Sequence, residues 1–166
     1  MRSSTFLEDT YLPDLGKGSG IVIWGFRACA MGGAGCCTIV RGFEHAFGHS
    51  GAPLLGHMLA LARFIGHDGR RKVSLAMPGC ARITRDELSL LTVFAAAQMQ
   101  DDALRDAHLT WLTACSPDQT ITGLVDQIAG AFACHGYDII LPETAGKRPL
   151  QRARPGSLHA LTGGRA

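Results

Sequence analysis

Apolar positions recur at three- and four-residue spacing along most of this chain, the signature of helices that bury one face. A first helix is expected from about residue 20 to 31, burying Ile21, Trp24 and Cys29. Gly32, Gly33 and Gly35 interrupt it, because consecutive glycines are entropically costly in a helix. A second helix over 36–47 aligns Cys36, Ile39, Val40, Phe43 and Phe47 on one stripe and stops at Gly48. Ser50 is placed to cap a third, with Pro53 in its first turn and Leu54, Leu55, Met58, Leu61, Ala62 and Ile65 inward. Gly66 closes that helix. Two short apolar runs, 73–77 and 137–141, are each stopped by a proline and read as a minimal strand pair.

The local rules stack most densely over 70–91. A basic triplet, Arg70-Arg71-Lys72, leads into the 73–77 run, and Pro78-Gly79 breaks it. Thr84 then opens a helix with Glu87 three residues on, a capping box in which each side chain satisfies the other's backbone amide. The helix runs to about Met99. Leu88, Leu91, Phe94 and Ala95 point inward, and Leu90, Val93 and Ala97 widen the stripe, which marks this helix as central. Asp101 or Asp102 caps the next, whose Leu104, His108, Trp111 and Cys115 share a face beside Leu112. Ser116-Pro117-Asp118-Gln119 reads as a second capping box, and Ile121, Leu124, Ile128 and Phe132 carry the last helix to Cys134 and Gly136.

These elements imply a mainly α fold: a compact bundle of five to six short helices, with one two-strand pair (73–77 with 137–141). Residues 1–18 read as an irregular N-terminal arm, 19–142 as a single helical domain and 143–166 as a basic disordered tail.

Composition agrees with a globular chain of one domain. Of 166 residues, 46% are hydrophobic and 18% charged, and the net charge of +2 is too small to imply nucleic acid by itself. Its distribution is uneven. Residues 1–83 carry nine Lys/Arg against five Asp/Glu, 84–142 two against eight, and 143–166 five against one. The acidic part maps onto helix faces and first turns, where carboxylates are favourable. Six scattered cysteines and the acidic residues near the start do not resemble a secreted disulfide framework behind a signal peptide. Reduced thiols in the cytoplasm are therefore expected.

The stretch 21–40 has the length of a membrane span, carries only Arg27 as a charge and repeats small residues at four-residue spacing. Membrane association through 21–40 is thus an alternative. Arg27 near its middle is costly in lipid, and the glycines suit a soluble helix pair as well.

Several short motifs follow one another along the chain. Leu12-Pro13 precedes an apolar helix with an arginine (Trp24 to Arg27), a small-residue helix ending Phe43-x-x-x-Phe47-Gly48, and a Leu/Met helix over 54–61. Then comes Pro78-Gly79-Cys80-Ala81-Arg82-Ile83-Thr84-Arg85-Asp86-Glu87. In these features the chain resembles, over about residues 12–140, a family of small bacterial domains of unknown function. That resemblance implies a helical fold and no particular activity.

Candidate chemistry is sparse. His45 and His49 are four apart on a helix, a spacing that can hold a zinc or similar ion, with Cys36 two turns earlier. The same histidines suit a helix C-terminus, where they meet the dipole and free carbonyls. Cys36-Cys37 are adjacent, so their side chains diverge by about 100° and no redox pair is expected. Cys80 precedes a capped helix between Arg82 and Arg85, an environment that lowers a thiol pKa, but no nucleophile signature surrounds it. Neither glycine cluster matches a phosphate-binding fingerprint. The triplet at 70–72 and the basic tail (Lys147, Arg148, Arg152, Arg154, Arg165) could meet a phosphate backbone without sequence specificity. The helices over 84–99 and 102–115 resemble a helix-turn-helix only superficially, since Asp101, Asp102 and Asp106 would repel DNA.

The expectation is a non-enzymatic module that binds another protein, a second copy of itself or a small ligand between its helices. Arg71, Cys80, Arg82 and Asp86 are its candidate contact residues. No cofactor is expected. The alternative is a metal- or thiol-dependent site built from Cys36, His45, His49 and Cys80.

Overall fold

A computed structural model describes residues 6–141, with side chains from Thr10 onward. The fold is mainly α. Strand β1 (Phe6–Tyr11) and a 3-10 turn (Leu12–Asp14) lead into α1 (Lys17–Ala30), α2 (Cys37–Phe47) and α3 (Gly51–His67). A long connection then reaches β2 (Arg82–Thr84), followed by α4 (Arg85–Gln98), α5 (Asp102–Thr113) and α6 (Gln119–Cys134). The expected tail over 143–166 lies outside the described residues.

Helix α4 is central. It is buried continuously from Ser89 through Ala96 and packs against α5, α6, α1 and β2. Helix α3 joins α1, α2 and α6 into the other half of the bundle. One apolar cluster runs through both halves, from Val22 and Phe26 of α1 to Val125 and Phe132 of α6. An aromatic column closes one end, with Phe47 edge-on to Phe132 at 4.8 Å and to Tyr137 at 5.2 Å between ring centroids.

The two-strand pair exists, but its members differ from those expected. β1 pairs antiparallel with β2, Phe6 opposite Thr84 and Tyr11 opposite Arg82, with a register irregularity between them. Part of the expected arm is therefore a strand. The runs 73–77 and 137–141 do not pair, and side chains instead take up two backbone amides in each. Ser74 N donates to Asp86 Oδ2 (2.6 Å) and Ala76 N to Glu87 Oε1 (3.0 Å). Ile139 N donates to Gln98 Oε1 and Ile140 N to Ser19 Oγ, both at 2.9 Å. These four amides are satisfied without a ladder.

Helix ends follow local chemistry with two departures. The Thr84–Glu87 capping box is present, Asp101 caps α5, and Gly48 and Gly136 take the positive φ that ends α2 and α6. Ser50 occupies the N-cap position of α3 but makes no side-chain cap bond, since the 3-10 turn Gly48–Ser50 runs straight into the helix. At α6 the cap is Asp118, which accepts from Ile121 N at 2.9 Å, in place of Ser116. Along α5 the buried positions are Arg105, Leu109, Leu112 and Thr113, whereas Leu104 and Trp111 are exposed.

The stretch 21–40 is divided between α1 and α2 by the turn after Met31, and Arg27 is 1% exposed inside the protein. Among the described residues no helix is long and apolar enough to cross a membrane.

Candidate functional site

Two consecutive carboxylates, Asp86 and Glu87, open α4, where the helix dipole favours negative charge. They organise the connection between α3 and β2. Glu87 holds its far end: it accepts from Thr84 N (2.8 Å) and Ala76 N, and forms a two-bond ion pair with Arg27, Nε to Oε1 at 2.6 Å and Nη2 to Oε2 at 2.9 Å. Arg27 also donates to the carbonyls of Cys80 (2.6 Å) and Arg82 (2.8 Å). Asp86 holds the near end through Ser74 N and Arg71 Nη2, the latter at 2.8 Å. Thr84 Oγ1 completes the lacing by donating to Ser74 O at 2.7 Å.

Arg71 of the basic triplet belongs to the same network, and its neighbour Arg70 is tied to the end of α5. Arg70 N donates to Thr113 O at 2.7 Å, and the Arg71 guanidinium lies over the Trp111 ring, its Cζ 4.0 Å from the centroid. Between this segment, the end of α3 and the end of α1 opens a cleft of about 700 Å³. Arg63, His67, Arg70, Arg71 and Lys72 line its polar side, and Phe26, Ile65, Val73 and Leu75 its apolar side. No Asp or Glu is among its lining residues. Arg63, Arg70 and Lys72 are exposed and form no ion pair among the described residues. Arg71 Nη1 is buried without a hydrogen-bond partner, so one donor of the guanidinium fork is unused.

The other expected site residues fall elsewhere. Asp86 positions Arg71, while Cys80 and Arg82 serve through their carbonyls as acceptors for Arg27. Cys36 is the exposed N-cap of α2, His45 lies exposed on that helix, and His49 is exposed in the following 3-10 turn. With Cys80 on the β2 side, these four are not gathered. Among the described residues no group of three or more His, Cys, Asp or Glu side chains is placed to hold a metal. The amides of Thr38, then Ile39, lower the pKa of the exposed Cys36 thiol from its ordinary value. Burial instead pushes Cys29 up to about 11.

Sequence reasoning missed two members of the cleft. Arg63 and His67 sit four apart near the end of α3, a spacing that places both on one face. That signal was present, but only the turn at 68–69 brings them beside the triplet. The acidic residues around α5 are partly neutralised, since Arg105 pairs with Asp102, Asp106 and Asp126 at 2.8–2.9 Å. Comparison of the chain with protein-family models, with curated proteins and with solved structures finds no match.

Proposed function

We propose that this protein is a non-enzymatic binding module whose ligand is a small multivalent anion, carrying phosphate or carboxylate groups, held in the cleft between α1, α3 and the 70–75 segment. One observation carries this reading: a cleft of ligand-binding size is lined by four Arg/Lys side chains and His67, with no carboxylate among them. Arg71 is the one lining cation with an ion pair, to Asp86, and it keeps a buried donor without a partner. A guanidinium fork suits a pair of oxygens on a phosphate or carboxylate better than a lysine does. Its position is already set by Asp86 and Trp111, so little side-chain freedom is lost on binding. The six free cysteines are consistent with a reducing compartment, and we place the module in the cytoplasm on that ground.

The test is calorimetric titration of pyrophosphate and of citrate into the full chain and into an Arg63→Glu/Lys72→Glu variant. The expected result is one anion per chain, with affinity falling on charge reversal by at least about tenfold and falling as salt rises. Equal affinity in the two proteins would overturn the proposal.

A further inference from the structure

A second cleft, of about 350 Å³, lies between α4 and α5 beside Trp111. Helix α4 lines it with Arg85, Leu88, Ser89 and Thr92, which share a face at three- and four-residue spacing, and α5 with Ala107, His108 and Trp111. Its polar chemistry is narrow. Thr92 Oγ1 donates to Leu88 O at 2.9 Å, so Thr92 holds its hydroxyl within its own helix. Ser89 Oγ and His108 Nδ1 are 2.7 Å apart, which fixes the imidazole and leaves Nε2 as its uncommitted nitrogen. Burial lowers the His108 pKa, which favours the neutral ring. Arg85 is exposed, has no ion pair among the described residues, and no carboxylate lines the cleft.

Trp111 gives the cleft its shape preference. Arg71 is stacked on the indole, yet Trp111 remains 47% exposed. Its remaining surface and Leu88 offer apolar contact to a flat ring. We propose that this cleft binds a small aromatic carboxylate, with the ring against Trp111 and Leu88, the carboxylate on Arg85, and His108 Nε2 as a further hydrogen-bond partner. A single lining cation favours a monoanion, and the volume suits a ligand of one or two rings. The site shares no lining residue with the basic cleft, and the two adjoin through the stack of Arg71 on Trp111.

Equilibrium dialysis of 2-naphthoate against the full chain tests this. The expected result is one naphthoate per chain. Octanoate and 2-naphthalenemethanol, which lack the ring or the charge, should bind at least tenfold more weakly. Arg85→Gln and Trp111→Ala should each weaken naphthoate binding by tenfold or more, with circular dichroism and the urea midpoint confirming that both variants fold. Arg63→Glu, which alters only the basic cleft, should leave it unchanged. Octanoate binding equal to naphthoate, an unaffected Arg85→Gln variant, or loss of binding in Arg63→Glu would each overturn the proposal, the last by placing the acid in the basic cleft.

Discussion

Arg27 and Glu87, 60 residues apart in sequence, meet through two charge-assisted hydrogen bonds of 2.6 and 2.9 Å, with their side chains 2% and 1% exposed. Glu87 is at once the return half of a helix cap and the counterion of a buried arginine. Arg27 is at once that counterion's partner and the donor to two carbonyls of the connection that covers it. Local capping and tertiary packing are thus coupled through one carboxylate, and the segment that forms the basic cleft depends on both.

Removing either partner leaves the other charged and buried, which typically costs about 3–5 kcal/mol. Glu87→Ala is expected to cost at least this much, because Thr84 N and Ala76 N also lose their acceptor. Glu87→Gln, which retains an acceptor oxygen, should be milder. Urea unfolding of the three proteins checks the order. A Glu87→Ala loss under about 1 kcal/mol, the scale of an exposed pair, would contradict the burial argument.

The capping box was legible because its residues are three apart and its chemistry is local. The ion pair was not, although Arg27 stood out as the one charge in an apolar stretch. Nothing in residues 21–40 indicates which of the chain's carboxylates will meet it. The strand pairing failed for a related reason. An apolar run with a terminal proline shows extended backbone but not its hydrogen-bond partner, and at Ser74 and Ala76 that partner is a carboxylate. The cleft was half legible: Arg70-Arg71-Lys72 announces itself, whereas Arg63 and His67 join only when α3 ends and the chain reverses.

Asp86 and Glu87 hold different amides of one segment, so they should be separable by hydrogen exchange. Asp86→Ala is expected to speed exchange at Ser74 while Ala76 stays protected by Glu87. It should also cost about 1.5–3 kcal/mol, since Arg71 loses its carboxylate as well. Equal acceleration at both amides would show that the segment opens as one unit.

Two glycines of α3 should respond to alanine with opposite signs. A Cβ at Gly51 would sit 2.5 Å from Phe43 O and 2.8 Å from Glu44 N, backbone atoms that cannot step aside cheaply. Gly51→Ala is expected to destabilise by about 1–3 kcal/mol, the usual cost of overpacking. A Cβ at Gly56 meets nothing within 4 Å, and the position is an exposed one in the helix interior. Gly56→Ala should stabilise by about 0.4–1 kcal/mol by restricting the unfolded chain. Thermal melts of the two variants beside the parent decide it.

The cysteines should label in a definite sequence. At neutral pH iodoacetamide is expected to modify Cys36 first, because amides of α2 favour its thiolate and the side chain is exposed. Cys29, buried and with its pKa pushed up to about 11, should stay unmodified until the protein is unfolded in urea. Peptide mass spectrometry over a time course reads the order. Early labelling of Cys29 would mean that α1 opens from α3 far more readily than its packing implies.

His108 supplies a pH dependence whose sign is fixed. Its folded pKa is lowered by burial below the ordinary value of 6.5, so the unfolded chain binds the proton more readily than the folded one. The associated stability is complete above the unfolded pKa and is lost as pH falls through it toward the folded pKa. Between pH 7.5 and pH 5 the urea midpoint of the parent protein should therefore fall more than that of His108→Gln, which has no proton to take up. The comparison isolates this residue because the other six histidines are common to both proteins. Parallel curves would mean that the Ser89 contact offsets the effect of burial, by accepting from a protonated Nδ1 as readily as it serves the neutral ring.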